Sequence, residues 1–462
     1  MASQRSLITL ANFFIYNPKI KCREGEEHKK IMFYQPSNVP LDVQTRHVGL
    51  CEGVVMFTEN FNPDKPCQSM HTQKTRQLYL HPEEEFWIIM TVTIPYTEKV
   101  KEGKTYHEYH EDDVQDSVYL AVLKHAYQLF KLFMGTFTEI MNLHGVDQLK
   151  HRLNHFFSRY LSNLRLSSCD ILEVHNGIQF LPLDKNTYLR IQCFINLVEA
   201  SFSQIKYTAF LYNNQLVWSG LEQDDMRVLY KYLTTGLIPS SLDTELRETP
   251  KSASSHSGGS SHYGKFVVGP QNLLDPSAAA NKVPVLHISK GDHVEELFLI
   301  IYRAMSATIC LMVEGTQLPS LEWYKNIDSF LGPQLSTLAS DIADQYATRK
   351  SSSSSSHEFK FVYFNQMNLA QKTTVHDRKT MAANINPETL RLIADINADF
   401  EKSDDAGETL MRTMSDYWVV GKKSDQREFY VVINQRNSNL IEINEEVKRL
   451  CASHFSNIFF LD

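Results

Sequence analysis

Few residues of this 462-residue chain are spaced for chemistry. His151 and His155 lie four apart, the interval at which one helical face can offer two imidazoles to a metal ion. The segment reads HRLNH and lacks the Glu of a HExxH zinc peptidase. Leu153, Phe156 and Phe157 make it an amphipathic helix with histidines at its polar edge. Gly421-Lys422-Lys423-Ser424 ends like a phosphate loop, yet Asp416 stands where the earlier glycine belongs. It also joins two apolar strand-like runs, so it reads as a hairpin turn. The cysteines (Cys22, Cys51, Cys67, Cys169, Cys193, Cys310 and Cys451) form no CxxC pair, which fits reduced thiols in a cytosolic protein. No GxSxG and no dinucleotide fingerprint is present. The carboxylates of Glu111–Asp113, Glu222–Asp225 and Glu445-Glu446 sit in surface-like or helix-start contexts. The expectation is a protein with no catalytic residue, no metal and no cofactor, and thus not an enzyme acting by covalent chemistry.

Charge and hydropathy narrow the class further. Lys and Arg total 46 against 54 Asp and Glu, a formal charge of −8. Nucleic-acid binding through a broad basic face is therefore not expected, because phosphate neutralisation needs clustered cations. Lys99–Lys104, with Glu102 among its lysines, reads as a solvated loop, and His376–Lys379 is a weak candidate for lipid contact. Leu297–Val313 is the most apolar segment. It contains Arg303 and is shorter than the ~20 residues a membrane span needs, so it reads as buried strand. The opening MASQRSLITL lacks the pattern of a secretory signal. A cytoplasmic protein with only peripheral membrane contact is expected.

The elements follow a weak internal echo. Phe13-Phe14-Ile15-Tyr16-Asn17, Phe210-Leu211-Tyr212-Asn213 and Val362-Tyr363-Phe364-Asn365 each place Asn after three or more apolar or aromatic residues, where a hairpin turn begins. Second strands follow at Ile31–Tyr34 and Leu216–Trp218. Helical spacing comes next, through Val48, Cys51 and Val55 or Leu50, Val54, Phe57 and Phe61 in the first case. In the second it runs through Met226, Leu229, Tyr230 and Leu233, behind the acidic start Asp224-Asp225. The first unit continues with a strand at Phe86–Ile94 and helices through Val114–Leu129 and Leu149–Leu164. The second has strands at Lys265–Val268, Val283–Ile288 and Leu297–Val313, then a helix through Leu331, Leu335, Leu338 and Ile342. The third has a helix from Pro387 to Phe400, a hairpin from Tyr417–Gly421 to Phe429–Asn434 turning on KKSDQR, a helix Glu442–Phe455 and a strand Ile458–Leu461. Lys251–Gly264 and Ser351–Ser356 are low-complexity and cannot bury enough apolar surface to order themselves. Each unit is an antiparallel sheet with helices on it, so the class is α+β.

Several long runs resemble one family: FFIYNP, HVGLCEG (His47–Gly53), HTQKTRQ (His71–Gln77), YTAFLYNNQLVWSGLEQDDMR (Tyr207–Arg227), HYGKFVVGP, SDYWVVGKKSDQREFYVVINQ (Ser415–Gln435) and NIFFLD. They are similar to the metazoan Ccz subunit of the Mon–Ccz complex, across about 12 to 462. The resemblance implies three longin domains, each a small antiparallel sheet flanked by helices. They are placed at 1–200 with extra helices, 201–350 with a disordered insert near 240–262, and 358–462. It also implies an obligate heterodimer with a Mon subunit, guanine-nucleotide exchange on a late-endosomal Rab GTPase, and a third scaffold subunit in animals. Peripheral recruitment to late-endosomal and lysosomal membranes goes with that role, as does a part in autophagy. The helix after the first hairpin is expected to contact the partner. Either Val48, Cys51 and Val55 face it while Leu50, Val54 and Phe57 pack inward, or the reverse, and the first is the assignment taken. His71, Thr72, Gln73 and Lys74 are expected to form a Rab-facing edge. The competing readings are a scaffold or tether, an exchange factor for a different Rab as in the Hermansky–Pudlak complex, and a metal-dependent enzyme through His151 and His155.

Overall fold

The computed structural model describes residues 5–63, 66–101, 104–247, 264–270, 272–273, 283–291, 293–352, 359–376, 385–402, 405–435 and 438–454. Most of the Ser/Gly-rich stretch, serines 353–356, residues 377–379 and the strand expected at 458–461 lie outside them. The chain divides into two compact units, 1–131 with 135–175 and 385–422, and 132–134 with 176–384 and 423–462.

In the first unit, β1 (Leu10–Tyr16), β2 (Ile31–Gln35), β3 (Ser69–His71), β4 (Thr75–Glu83) and β5 (Phe86–Thr93) form an antiparallel sheet in the order β2-β1-β5-β4-β3. Alternate side chains of a strand point to opposite faces. Across Phe13–Tyr16 of β1 both sets are apolar and both are buried. Phe14 stacks on Tyr34 at 5.4 Å, beneath α1 (Leu41–Glu59), while Phe13 meets Phe157 at 5.1 Å on the other face. Phe157 lies on α4 (Val146–Asn163), which follows α2 (Asp116–Met134) and α3 (Phe137–His144). Glu83, at the end of β4, accepts the N–H groups of Phe137 and Thr138 at 2.7 and 2.8 Å, and the Tyr127 hydroxyl at 2.8 Å. A carboxylate thus satisfies donors that the start of α3 would otherwise leave free. Where they are described, Lys99–Lys101 and Lys104 are strand residues, not the loop expected there. They belong to a separate hairpin of β6 (Tyr96–Lys101) and β7 (Lys104–Tyr109), with Val100 paired to Thr105. A short helix, α5 (Ile171–His175), closes this stretch.

In the second unit, Asp184 caps α6 (Lys185–Ser201) by accepting from the Asn186 and Thr187 N–H groups. Strands β8 (Ile205–Tyr212) and β9 (Gln215–Ser219) turn on Asn213-Asn214, both at positive φ, as a two-residue hairpin requires. Helices α7 (Gln223–Tyr232) and α8 (Ile238–Arg247) and strands β10 (Lys265–Val268) and β11 (Val285–Lys290) follow. The single strand expected at Leu297–Val313 is two, β12 (His293–Ala304) and β13 (Ala307–Glu314). They meet at Met305-Ser306, a turn without Gly, Asn or Pro, where Met305 holds a φ of 54°. The sheet order is β10-β12-β13-β8-β9, with β11 also on β12. Phe194, Ile195 and Val198 of α6 join Tyr324, Ile327, Leu331 and Leu335 of α9 (Leu321–Ser352) in one core with Phe210, Ile300, Tyr302 and Ile309 of the sheet.

The last sheet has the order β15-β14-β18-β17-β16. Its strands are β14 (Phe359–Asn365), β15 (Ala370–Thr373), β16 (Gly407–Arg412), β17 (Trp418–Ser424) and β18 (Arg427–Ile433). Helix α10 (Pro387–Glu401) precedes β16, with Asn386 as its cap, and α11 (Leu440–His454) follows β18. The turn expected over KKSDQR is tighter than that. Lys422–Ser424 extend β17, Lys422 pairs with Glu408 at 3.0 Å, and only Asp425-Gln426 turn, Asp425 at φ 51°. Residues 178–181 run beside two sheet margins of the second unit. Ile178 donates to the Leu369 carbonyl and accepts from the Gln371 N–H, at 2.7 and 2.8 Å. Leu181 then donates to Leu216, which in turn donates to Gln179, at 2.9 and 2.8 Å. Small antiparallel sheets flanked by helices confirm the α+β class.

Candidate functional site

Helix α1 carries apolar residues on two faces, and the structure decides between them. Val48, Cys51 and Val55 are 3%, 0% and 5% exposed, packed with Phe14, Tyr16, Tyr34, Tyr79 and Trp87. Leu50, Met56, Phe57 and Phe61 are 55–75% exposed, and the Phe57 and Phe61 rings lie 4.9 Å apart. The assignment of Val48, Cys51 and Val55 to a partner is therefore corrected. Their spacing of three, four and seven puts them on the stripe that covers the sheet, and they are interior. Of the set expected inward, Leu50 and Phe57 face out, and Val54 is partly buried against the core. Gly49 and Gly53 share the outer face, where an added Cβ would meet nothing within 4 Å.

Polar contacts hold α1 in place. The Tyr34 hydroxyl lies 2.6 Å from His47 Nδ1, and Lys30 pairs with Glu52 at 2.7 Å, both joining the helix to the β2 side of the sheet. Burial lowers the His47 pKa, with a smaller contribution from Arg46, and raises that of Tyr34. The imidazole is thus favoured as neutral and the phenol as un-ionised. Burial also pushes the Cys51 thiol up to about 12, so it behaves as a small apolar side chain.

The four residues expected at an edge do lie together. His71 ends β3, the outer strand of the sheet, and Thr72, Gln73 and Lys74 form the turn into β4. All four are exposed. The turn closes on itself, with Thr72 N–H donating to the Thr75 carbonyl at 3.0 Å and its hydroxyl to the same oxygen at 2.9 Å. His71 is fixed from beneath: its Nε2 lies 2.7 Å from Asp116 Oδ2, and Arg76 Nη1 lies 2.8 Å from its Nδ1 and 2.7 Å from its Nε2. Met70, beside His71, packs on the same core as Val48, Cys51 and Val55. The first sheet thus offers two surfaces, an apolar helix face and a polar turn, and both suit noncovalent recognition.

His151 and His155 are exposed on α4, whose Leu149, Leu153 and Phe157 are buried. Among the described residues no group of three or more His, Cys, Asp or Glu is placed to hold a metal ion. No helix among them is long and apolar enough to cross a membrane.

Comparison with known proteins accounts for these surfaces as parts of one domain type. Residues 10–135 match the first longin domain of INTU, CCZ1 and HPS4, residues 205–332 match Intu longin-like domain 2, and residues 355–450 match Intu longin-like domain 3. The chain is 53% identical over 461 residues to the vacuolar fusion protein CCZ1 homolog of Xenopus laevis, covering 98% of each. It is 52% identical to that of Nematostella vectensis over 100% of both, and 30% identical to that of Dictyostelium discoideum over 98% of both. The chain belongs to the CCZ1 family, and it is built from three longin-like domains.

Proposed function

We propose that this chain is one subunit of a heterodimeric guanine-nucleotide exchange factor that activates a late-endosomal Rab GTPase, with a Mon subunit of like architecture as its obligate partner. The observation that carries the reading is kinship along the full chain to proteins named for vacuolar fusion, together with the longin-like domains. The outward face of α1 supports it locally, since Leu50, Met56 and Phe57 on the helix and Phe61 just beyond it are large exposed apolar side chains, with the Phe57 and Phe61 rings in contact. Such clusters mark interaction sites more often than isolated exposed residues do. In this reading the α1 face meets the partner subunit and the His71–Lys74 turn faces the Rab. A third scaffold subunit completes the animal complex, and contact with late-endosomal or lysosomal membrane is peripheral.

Exchange of this kind makes no covalent bond and needs no cofactor from this chain. It requires a surface that binds the nucleotide-free GTPase better than the loaded one. Moving that equilibrium from 1:99 to 99:1 takes about 5.5 kcal/mol of preference. An interface of roughly 1,600 Å² can supply it. Release of a fluorescent GDP analogue from the purified Rab tests the proposal, with the chain alone, a Mon partner alone and the two together. Acceleration by the pair is expected, and none by any well-folded combination would reject it.

A second reading is favoured by the family model of the first domain, which is shared by INTU, CCZ1 and HPS4. The same domain occurs in three differently named proteins, and in this reading the chain acts as a scaffold or tether, or on a different Rab. Substitutions in the His71–Lys74 turn separate the two: loss of exchange with an intact heterodimer supports direct contact, and unchanged exchange supports the scaffold.

A further inference from the structure

We propose that Glu111–Asp116 is a coupling segment, which ties the β3–β4 turn to helix α10 so that order lost at one is lost at the other. The two ends of the connection lie within one compact unit. Toward the turn, Asp116 accepts from Arg76 at 3.0 Å as well as contacting His71, and Arg76 Nη2 lies 3.4 Å from the Glu111 carbonyl. Toward the helix, Asp113 pairs with Arg391 and also with Arg5. Gln115 Nε2 donates to the Arg391 carbonyl at 2.9 Å and to Asp395 Oδ1 at 2.7 Å. Arg391 and Asp395 are one helical turn apart, so a single face of α10 takes both contacts.

Burial makes the connection stiff. Arg76 is 6% exposed and Val114, between Asp113 and Gln115, is 3% exposed. The side chains of Asp113, Gln115 and Asp116 are all engaged, and Gln115 directly precedes α2. The segment therefore has one ordering cost and two sets of contacts that depend on it. When either set holds the segment, the other forms without meeting that cost again, which is positive coupling through conformational entropy. Linkage makes the effect reciprocal. The inference goes beyond the exchange proposal and does not depend on it, because it concerns order within this chain.

Hydrogen exchange followed by mass spectrometry on the full chain, in complex with its partner where one is needed for stability, tests it. Arg391→Met removes a contact to Asp113 yet leaves that carboxylate its Arg5 partner. The expected result is exchange ~5-fold or more faster for the amides of residues 69–76 as well as for α10. Arg76→Met must in turn speed exchange in α10. Lys402→Met, which removes an exposed pair with Asp399 beyond the same helix, is the control and is expected to leave residues 69–76 unchanged. If Arg391→Met proves unstable, the exchanged pair Asp113→Arg with Arg391→Asp is used, and it must restore protection at the turn relative to Asp113→Arg alone. Faster exchange confined to α10 after Arg391→Met, or to the turn after Arg76→Met, would overturn the proposal.

Discussion

The Tyr34 hydroxyl and His47 Nδ1 stand 2.6 Å apart, linking an edge strand of the first sheet to the helix that covers it. Because burial depresses the His47 pKa, its contribution to stability is fully present above the unfolded value of about 6.5. It is lost as pH falls through the lower folded value, where the native imidazole must take a proton in a poor solvent. Thermal unfolding of the wild type and of His47→Gln, followed from about pH 8 to about pH 5, should diverge on the acid side, with the wild type losing Tm more steeply. Parallel curves would show that the histidine contributes nothing to acid sensitivity.

The two faces of α1 make opposite predictions. Val55→Asp places an unpaired carboxylate in the core and is expected to prevent folding, since such burial exceeds the usual range of single-site effects. Phe57→Ser, on the outer face, should shift stability by no more than about 0.5 kcal/mol. If α1 meets the partner as proposed, it should nonetheless weaken co-purification of the heterodimer. A Phe57→Ser chain that misfolds would place this face inside after all.

Thiol reactivity reads the same packing without mutation. Cys51 and Cys310 are buried, and burial pushes both thiols up to about 12, whereas Cys193 is exposed on α6. Brief alkylation of the native protein near neutral pH should label Cys193 and spare the other two. Labelling of Cys51 at the rate of Cys193 would mean that α1 opens readily from its sheet.

Glu83 gathers the Phe137 and Thr138 N–H groups and the Tyr127 hydroxyl. Glu83→Ala leaves those half-buried donors without their acceptor and should cost about 1–3 kcal/mol, measured by denaturant unfolding. A change near zero would indicate that water replaces the carboxylate at no loss.

Gly177 stands where a Cβ would lie 2.5 Å from the Gln371 Cβ and 3.1 Å from the Leu369 carbonyl oxygen. Gly177→Val should therefore break the pairing of Ile178 with β15, and the Gln371 amide, bonded to Ile178, should lose its protection from hydrogen exchange. Retained protection would mean the backbone shifts to make room.

Much of the fold can be read from residue pattern. The runs FFIY, FLY and VYF are central strands, because every position is apolar and both faces are covered. What misled was apolar character without a matching interior. Leu50 and Phe57 have the spacing of a core stripe, and periodicity cannot tell a stripe that covers a sheet from one that faces outward. The β12–β13 turn escaped because Met305-Ser306 lacks Gly, Asn or Pro. Helix α6 went unassigned although Asp184 supplies a cap signal and Ile191, Phe194, Ile195 and Val198 recur at helical spacing. Of the residues expected at an edge, His71 ends the outer strand β3 and Thr72–Lys74 form the turn beside it. The hold of Asp116 on His71 was not legible, since it joins residues 45 apart in sequence.

Residues 178–181 hydrogen-bond first to the margin of one sheet and then to that of another, using amide and carbonyl groups that an open margin would offer to any passing strand. One short stretch of chain thereby shields two places where self-association could begin. A truncation after α9 would remove Leu369 and Gln371 and leave Ile178 with its backbone groups unclaimed, so a shortened chain is exposed to strand exchange between molecules even where its own sheets remain whole.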